Sequence, residues 1–402
     1  MVRYHRSAIY FIVGTFPAAR RRAEIKVNRR SFISGGALAV AGTALAPSAI
    51  AANGKRTAPR PRRIATEEAF TTPELAKEYR RIAKSSSGDN LDLILMRMVF
   101  GDPSPGSLGE QFRRQLLDVD QERLQVMDES GVDMHLLSLT IPGVQMFNPE
   151  AAVAAAREAN DHLAHAVKRH PDRFTGLAAF APQDSARSAK EMERAVSKLH
   201  LNGFIVNSHT NNEYLDDEKY WDIFEAAEAL DRPIYLHPRS PSDGMAEPFR
   251  EYQMGGSMWG YAIEAGTHAV RLICSGVFDR FPRLKIVLGH MGEAVPYWLW
   301  RLDYMHARRT SQGLVKKLDL NPSDYFKRNF AVTTSGVESH DVLRYVLDVL
   351  GPDNVMWAID YPYQPTPPAV AFMDTAPVSS ALKAKLYHQN AERIFHIAAA
   401  KG

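Results

Sequence analysis

One cysteine, Cys274, is all that 402 residues contain, which excludes an intramolecular disulfide and any cysteine-based zinc cluster. Set in the helical pattern AVRLICSGVFDRF, it is expected to be a core residue. The chain has no His-x-His pair, and no G-x-G-x-x-G follows its first strand-like run. Internal repeats and coiled-coil heptads are also missing. Charge of one sign is scarce: the formal +3 arises in residues 1–50, where eight Lys or Arg face one Glu, and removing that +7 leaves −4 for the rest. A folded part with that balance has no electrostatic case for a phosphate backbone, so nucleic acid is not an expected partner.

The basic start has a logic of its own. In VNRRSFISGGALAVAGTALAPSAIAA, Arg29 and Arg30 precede a Gly/Ala-rich apolar run that ends in the small-residue site Ala49-Ile50-Ala51. The pattern resembles a twin-arginine export signal, and the run is shorter than the ~20 residues of a membrane span, so no stable anchor is expected. Residues 1–51 read as a cleaved signal, 52–62 as a linker and 63–402 as the folded domain. The long stretch ahead of the arginine pair allows a start nearer Val27. The expected location is periplasmic or secreted, and cytoplasmic if the leader does not act.

From residue 61 onward, short β-branched runs alternate with amphipathic helical patterns, the mark of βαβ units and a parallel sheet. Eight runs qualify: 63–66, 134–139, 174–180, 203–208, 233–238, 284–289, 330–335 and 355–360. With 45% hydrophobic residues the chain can bury a large core, and eight such units predict a (β/α)8 barrel. A doubly wound open sheet is the alternative. Residues 71–125 exceed a single βα connection and predict a helical insertion over the barrel mouth.

In such a barrel the chemistry gathers at the carboxyl ends of the strands. The first run ends in Glu67-Glu68, the fifth in His237, the sixth in His290 with Glu293 behind it, and the eighth in Asp360. Any one of these alone is more often a cap, a rim ion pair or a packed histidine. Four strands delivering them to one rim point to a metal site. Glu68, adjacent to Glu67 on a strand, must face the other way, toward a supporting role or a barrel salt bridge.

Several segments resemble the amidohydrolase superfamily, and within it the hydroxybenzoate, 5-carboxyvanillate and aminocarboxymuconate-semialdehyde decarboxylases: RIATEEAF (63–70), SLTIPGVQ (138–145), NSHTNNEYLD (207–216), GHMGEAVPYWLWRLDYMH (289–306), TTSGV (333–337) and AIDYPYQ (358–364). The 5-carboxyvanillate group is the nearest in pattern. The resemblance implies that Glu67, His237 and Asp360 are metal ligands, that His290 is the catalytic histidine, and that Glu293 shares a proton with it. It implies that Asp360 takes part in proton transfer. Arg301, eleven residues after His290 and so three helical turns on, is expected to hold the substrate's anionic end. Ala69 stands where many superfamily members place a second His, which argues against a dinuclear hydrolytic centre. Leu108 stands where the family carries another arginine, leaving Arg113 or Arg114 as substitutes.

Two carboxylates and one imidazole make an oxygen-rich open site suited to one divalent ion, Mn²⁺ or Zn²⁺ before Mg²⁺. The expected reaction is non-oxidative loss of CO₂ from a hydroxylated or methoxylated aromatic acid. The alternatives are a mononuclear hydrolase of a lactone, ester or amide, and a binding barrel without turnover. Relatives of this kind suggest a dimer or tetramer. Among other residues, His209 is expected either at the mouth or as a loop histidine, and His162 and His165 as solvated. Trp298 and Trp300 are expected to pack, and Asp303 to pair or cap.

Overall fold

The computed structural model describes residues 60–399 except residue 89. The leader, its cleavage site and most of the linker therefore lie outside the described residues.

Eight strands follow in chain order: β1 Ile64–Phe70, β2 Met134–Leu139, β3 Phe174–Ala179, β4 Gly203–Asn207, β5 Ile234–His237, β6 Ile286–Leu288, β7 Phe330–Thr333 and β8 Val355–Met356. Each pairs in parallel with the next, giving the order β1 to β8 without a switch point. With helices between the strands, this is the predicted (β/α)8 barrel, and the open sheet is excluded. Almost every strand residue is buried, as expected where side chains fill the interior and helices cover the outside.

Between β1 and β2 lie four helices: α1 Pro73–Ser85, α2 Asp92–Phe100, α3 Leu108–Leu117 and α4 Gln121–Ser130. The first starts where Thr72 accepts from the Leu75 amide and Pro73 occupies the first turn, a cap and a residue that suit a helix start. Asp92 of α2 pairs with Arg239, two residues beyond β5, and both side chains are buried. The insertion is thus tied to the rim at the carboxyl end of the strands, as predicted.

Several expectations are corrected. The eighth strand ends at Met356 rather than at residue 360, because the chain beyond it leaves the ladder and is held by side chains of β1. Cys274 is exposed: Leu272 and Ile273 take the inner face of the helix Gly260–Ser275, and the next position turns outward. His162 is half-buried and stacks on Phe70 at 6.3 Å, whereas His165 is exposed as expected. Trp298 and Trp300 are not core residues: they are 54% and 73% exposed and touch only Tyr297 and Tyr304 of their own helix among aromatic rings, because Leu299 between them takes the buried position. Asp303 does cap, accepting from the Ser323 amide (2.8 Å) and hydroxyl (2.6 Å) in the first turn of the helix Pro322–Asn329.

The loop after β4 is pinned by a buried polar network. His268 accepts from the Leu215 amide (3.0 Å), and Glu264 accepts from the Ser208 hydroxyl (3.0 Å) and the Ser242 amide (3.1 Å). Burial, helped by His209 and Arg271, pushes His268 down to about 3. An unfolded imidazole titrates near ~6.5. Since the folded value is the lower one, the stabilisation is complete above about 6.5 and is lost as pH falls from there toward the folded value. The urea midpoint is therefore expected to drop between about pH 7 and about pH 5. The drop should be smaller in His268→Gln, and an equal drop in both proteins would exclude this residue as a source.

Candidate active site

Glu67 points into the barrel, where it is 3% exposed. A buried carboxylate must be compensated, and one of its oxygens is crowded with donors. Oε2 accepts from Thr333 Oγ1 (2.8 Å) and, in shorter contacts, from the hydroxyls of Tyr235 and Ser335. Oε1 is buried with no hydrogen-bond partner. That orphan oxygen lies 3.5 Å from His237 Nε2 and 4.0 Å from His290 Nδ1.

His237 ends β5 with Nδ1 2.7 Å from the Pro238 carbonyl. A carbonyl only accepts, so Nδ1 carries the proton and Nε2 presents its lone pair to the site. One ligand atom each from Glu67, His237 and Asp360 lies within 4.8 Å of the others. An orphaned carboxylate oxygen, a free imidazole lone pair and a second carboxylate fit a divalent cation.

His290 follows β6 on a strained turn. Residues 290–294 all have positive φ, from 50° at His290 to 89° at Gly292. The following helix begins only at Val295, so the count of three helical turns from His290 to Arg301 does not hold. The turn brings His290 Nδ1 to 2.7 Å from buried Glu293 Oε1, and His290 Nε2 to 3.8 Å from Asp360 Oδ2. Burial disfavours the charged imidazole, yet Glu293, Glu67 and Asp360 together hold it well above its usual range. Asp360 moves up because it is buried, with His290 opposing and Glu67 adding to the rise. Burial also pushes Glu67 up, but His290, His237 and the hydroxyls outweigh it and hold this carboxyl below its usual range.

The structure thus brings together Glu67, His237, His290, Glu293 and Asp360. It does not bring Arg301 to them. That residue is exposed on the helix Val295–Ser311, with no hydrogen bond to the site among the described residues. Leu108 is exposed, and Arg114 is engaged with Glu122 on the surface. His209 is a loop histidine: it accepts from the Asn212 amide, lies 3.2 Å from the Ser240 carbonyl, and is pushed by burial down to about 4.

Sequence reasoning missed Tyr235, Thr333 and Ser335. Part of their signal was present, since Tyr235 stands two before His237 and so shares its face of β5, whereas Ser335 lies on the turn after β7. Gly289 was quoted but its purpose was not seen. Its φ of −72° suits any residue, but a β-carbon there would stand 2.6 Å from Glu67 Oε1. Gly289→Ala is expected to displace the Glu67 carboxylate and weaken metal binding about 10-fold to 100-fold, with the unfolding midpoint little changed. Calorimetric titration of metal-stripped protein checks it, and unaltered affinity would count against this role.

The amidohydrolase family profile matches residues 113–397. A γ-resorcylate decarboxylase from Polaromonas sp. (strain JS666) is 36% identical over 297 residues, covering 71% of this chain and 90% of its own. Among solved structures, 5-carboxyvanillate decarboxylase from Sphingomonas paucimobilis superposes with a TM-score of 0.81 at 54% identity, covering 84% of this chain and 99% of its own. The 5-carboxyvanillate decarboxylase of Novosphingobium aromaticivorans, complexed with manganese and 4-hydroxy-3-methoxy-5-nitrobenzoic acid, gives 0.79 at 40% identity, covering 83% and 96%. The chain belongs to the amidohydrolase family, and these relatives within it are decarboxylases of aromatic acids.

Proposed function

We propose that the protein is a metal-dependent, non-oxidative decarboxylase of a hydroxylated or methoxylated benzoate. The observation that carries this reading is the orphan oxygen of Glu67, set with His237 and Asp360 as a three-residue ligand group in a chain whose relatives decarboxylate aromatic acids. Hydrolysis of a lactone, ester or amide has no comparable support. The donor set and the manganese of the relatives favour Mn²⁺, ahead of Zn²⁺ and Mg²⁺.

Losing CO₂ from an arene requires a proton at the carboxyl-bearing carbon; the electrons of the broken carbon–carbon bond return to the ring. Held by Glu67, His237 and Asp360, the ion would supply the positive charge that stabilises negative charge on a phenolic oxygen ortho to the carboxylate and helps fix the ring. The proton belongs to the protein. Asp360, whose carboxyl is raised by burial, delivers it to the ring carbon, and His290 returns it to Asp360. Glu293 accepts from His290 Nδ1 and keeps the imidazole charged and oriented.

Tyr297, Trp298, Trp300 and Tyr304 leave one face of the helix Val295–Ser311 rich in exposed aromatic surface. A patch of that kind supports a homo-oligomer, dimer or tetramer. Arg301 shares this face, so its expected contact with substrate is compatible only with an assembly that brings it to another copy's mouth. The paired arginines of the leader support export through the twin-arginine route, which intact-mass analysis of native protein checks.

Stripping the metal should abolish CO₂ release from 5-carboxyvanillate or γ-resorcylate, and Mn²⁺ should restore it. Asp360→Asn is expected to lower kcat about 10²- to 10⁴-fold with the fold intact; full activity in that variant would remove Asp360 from the proton path. Trp300→Glu should reduce the mass measured by light scattering, and an unchanged mass would discard the aromatic face as the contact.

A further inference from the structure

The barrel has one seam. Backbone ladders join every neighbouring pair from β1 to β8, but none joins β8 to β1 among the described residues. The metal group straddles that seam, with Glu67 on β1 and Asp360 just beyond β8. The distance between these two carboxylates therefore depends on whatever closes the gap.

Mostly, side chains close it. Thr66 Oγ1 donates to the Trp357 carbonyl (2.8 Å), and the one backbone bond runs from the Ala69 amide to the Tyr361 carbonyl (2.7 Å). Between them the Glu68 carboxylate accepts from two amides, Ile359 N–H at Oε1 (3.1 Å) and Tyr361 N–H at Oε2 (3.0 Å). Those are the two amides flanking Asp360. Asp360 itself has φ of +78°, a conformation that a β-carbon disfavours and that must be held by its surroundings. Glu68 is fully buried; burial disfavours its charge, and the two amides and the nearby Arg123 guanidinium oppose that by favouring the carboxylate form. Arg123 braces the same corner, donating to the Ala69 carbonyl (2.6 Å) and lying over the Tyr361 ring at 4.7 Å.

We propose that Glu68 is a positioning residue that sets the span between Glu67 and Asp360 across the barrel seam, and through it the metal affinity and the aim of the Asp360 carboxyl. The inference rests on the reading that Glu67, His237 and Asp360 hold the metal. Glu68 is not one of the three residues of the ligand group. Its neighbour on the same strand supplies a ligand, and Glu68 supplies the geometry of the ligand opposite. The clamp needs two acceptor oxygens on one planar group. Glutamine has only one, and its amide nitrogen would set donors against the second N–H.

Glu68→Gln is compared with the wild type and with Thr66→Val, which removes a seam bond remote from Asp360. The readouts are Mn²⁺ affinity of the metal-stripped protein, kcat and KM at saturating Mn²⁺ with 5-carboxyvanillate or γ-resorcylate, and the unfolding midpoint. Glu68→Gln is expected to bind Mn²⁺ about tenfold more weakly or worse and to lose about tenfold or more in kcat, with KM within about twofold. Thr66→Val should lower the midpoint and leave both metal affinity and kcat within about twofold. A folded Glu68→Gln protein with wild-type affinity and kcat overturns the proposal, and so does a Thr66→Val protein that loses both to the same extent. If Glu68→Gln does not fold, hydrogen exchange on the wild type decides. Peptides containing Ile359 and Tyr361 protected before metal is added support the clamp, whereas protection that arises only with Mn²⁺ means that the ion places Asp360. Wild-type protein that binds no Mn²⁺ takes down the triad reading itself, an outcome distinct from equal binding by wild type and variant.

Discussion

Glu67 carries a negative charge into a barrel interior where an unpaired ion costs several kcal/mol. The surrounding structure answers that one demand with two unlike halves. Three hydroxyls, from Tyr235 on β5 and from Thr333 and Ser335 on and after β7, saturate one oxygen and fix the carboxylate plane. The other oxygen is left to two imidazoles and to whatever cation they and Asp360 share. Gly289 leaves the space that this arrangement needs. The buried charge is thus half-satisfied by protein hydroxyls, with its other oxygen left in a group of side chains that could hold a metal ion.

The same demand shapes the two turns that hold His290 and Asp360. Residues 290–294 and Asp360 all lie at positive φ, where non-glycine residues are disfavoured by ~1–3 kcal/mol each. Such conformations persist only where contacts over-determine them. At His290 the contacts are the Glu293 carboxylate and the Ser335 hydroxyl, which accepts from the His290 amide at 3.0 Å. At Asp360 they are the paired amide bonds to Glu68. Both turns place an ionisable group at the rim at an angle that a continuing strand or helix could not reach.

Much of this was legible before any coordinates. The alternation of short apolar runs with helical patterns fixes the barrel, because period two and period 3.6 leave different marks on the chain. Glu67, His237, His290 and Asp360 were legible because each stands in or just after one of the apolar strand runs, although only His237 ends its strand: Glu67 lies within β1, and His290 and Asp360 lie on the turns after β6 and β8. What proved illegible has physical reasons. Trp298 and Trp300 flank a buried leucine, and a helix with an aromatic outer face reads like one with an aromatic core. Cys274 is one position past two core residues, a displacement that pattern alone does not resolve. Arg301 was placed by counting turns from His290, and the count fails where five left-handed residues interrupt the helix.

The chain's own order of residues determined the fold class, the number of strands, the insertion after the first of them and the identity of the ionisable groups, since each follows from local periodicity and from the polar residues set in or just after the apolar runs. Only the tertiary structure decided which oxygen of Glu67 is left free, which imidazole nitrogen faces it, that Glu68 grips the two amides around Asp360, and that Arg301 points away. Most of those facts depend on contacts between residues dozens to hundreds of positions apart, across a barrel whose register no single segment encodes.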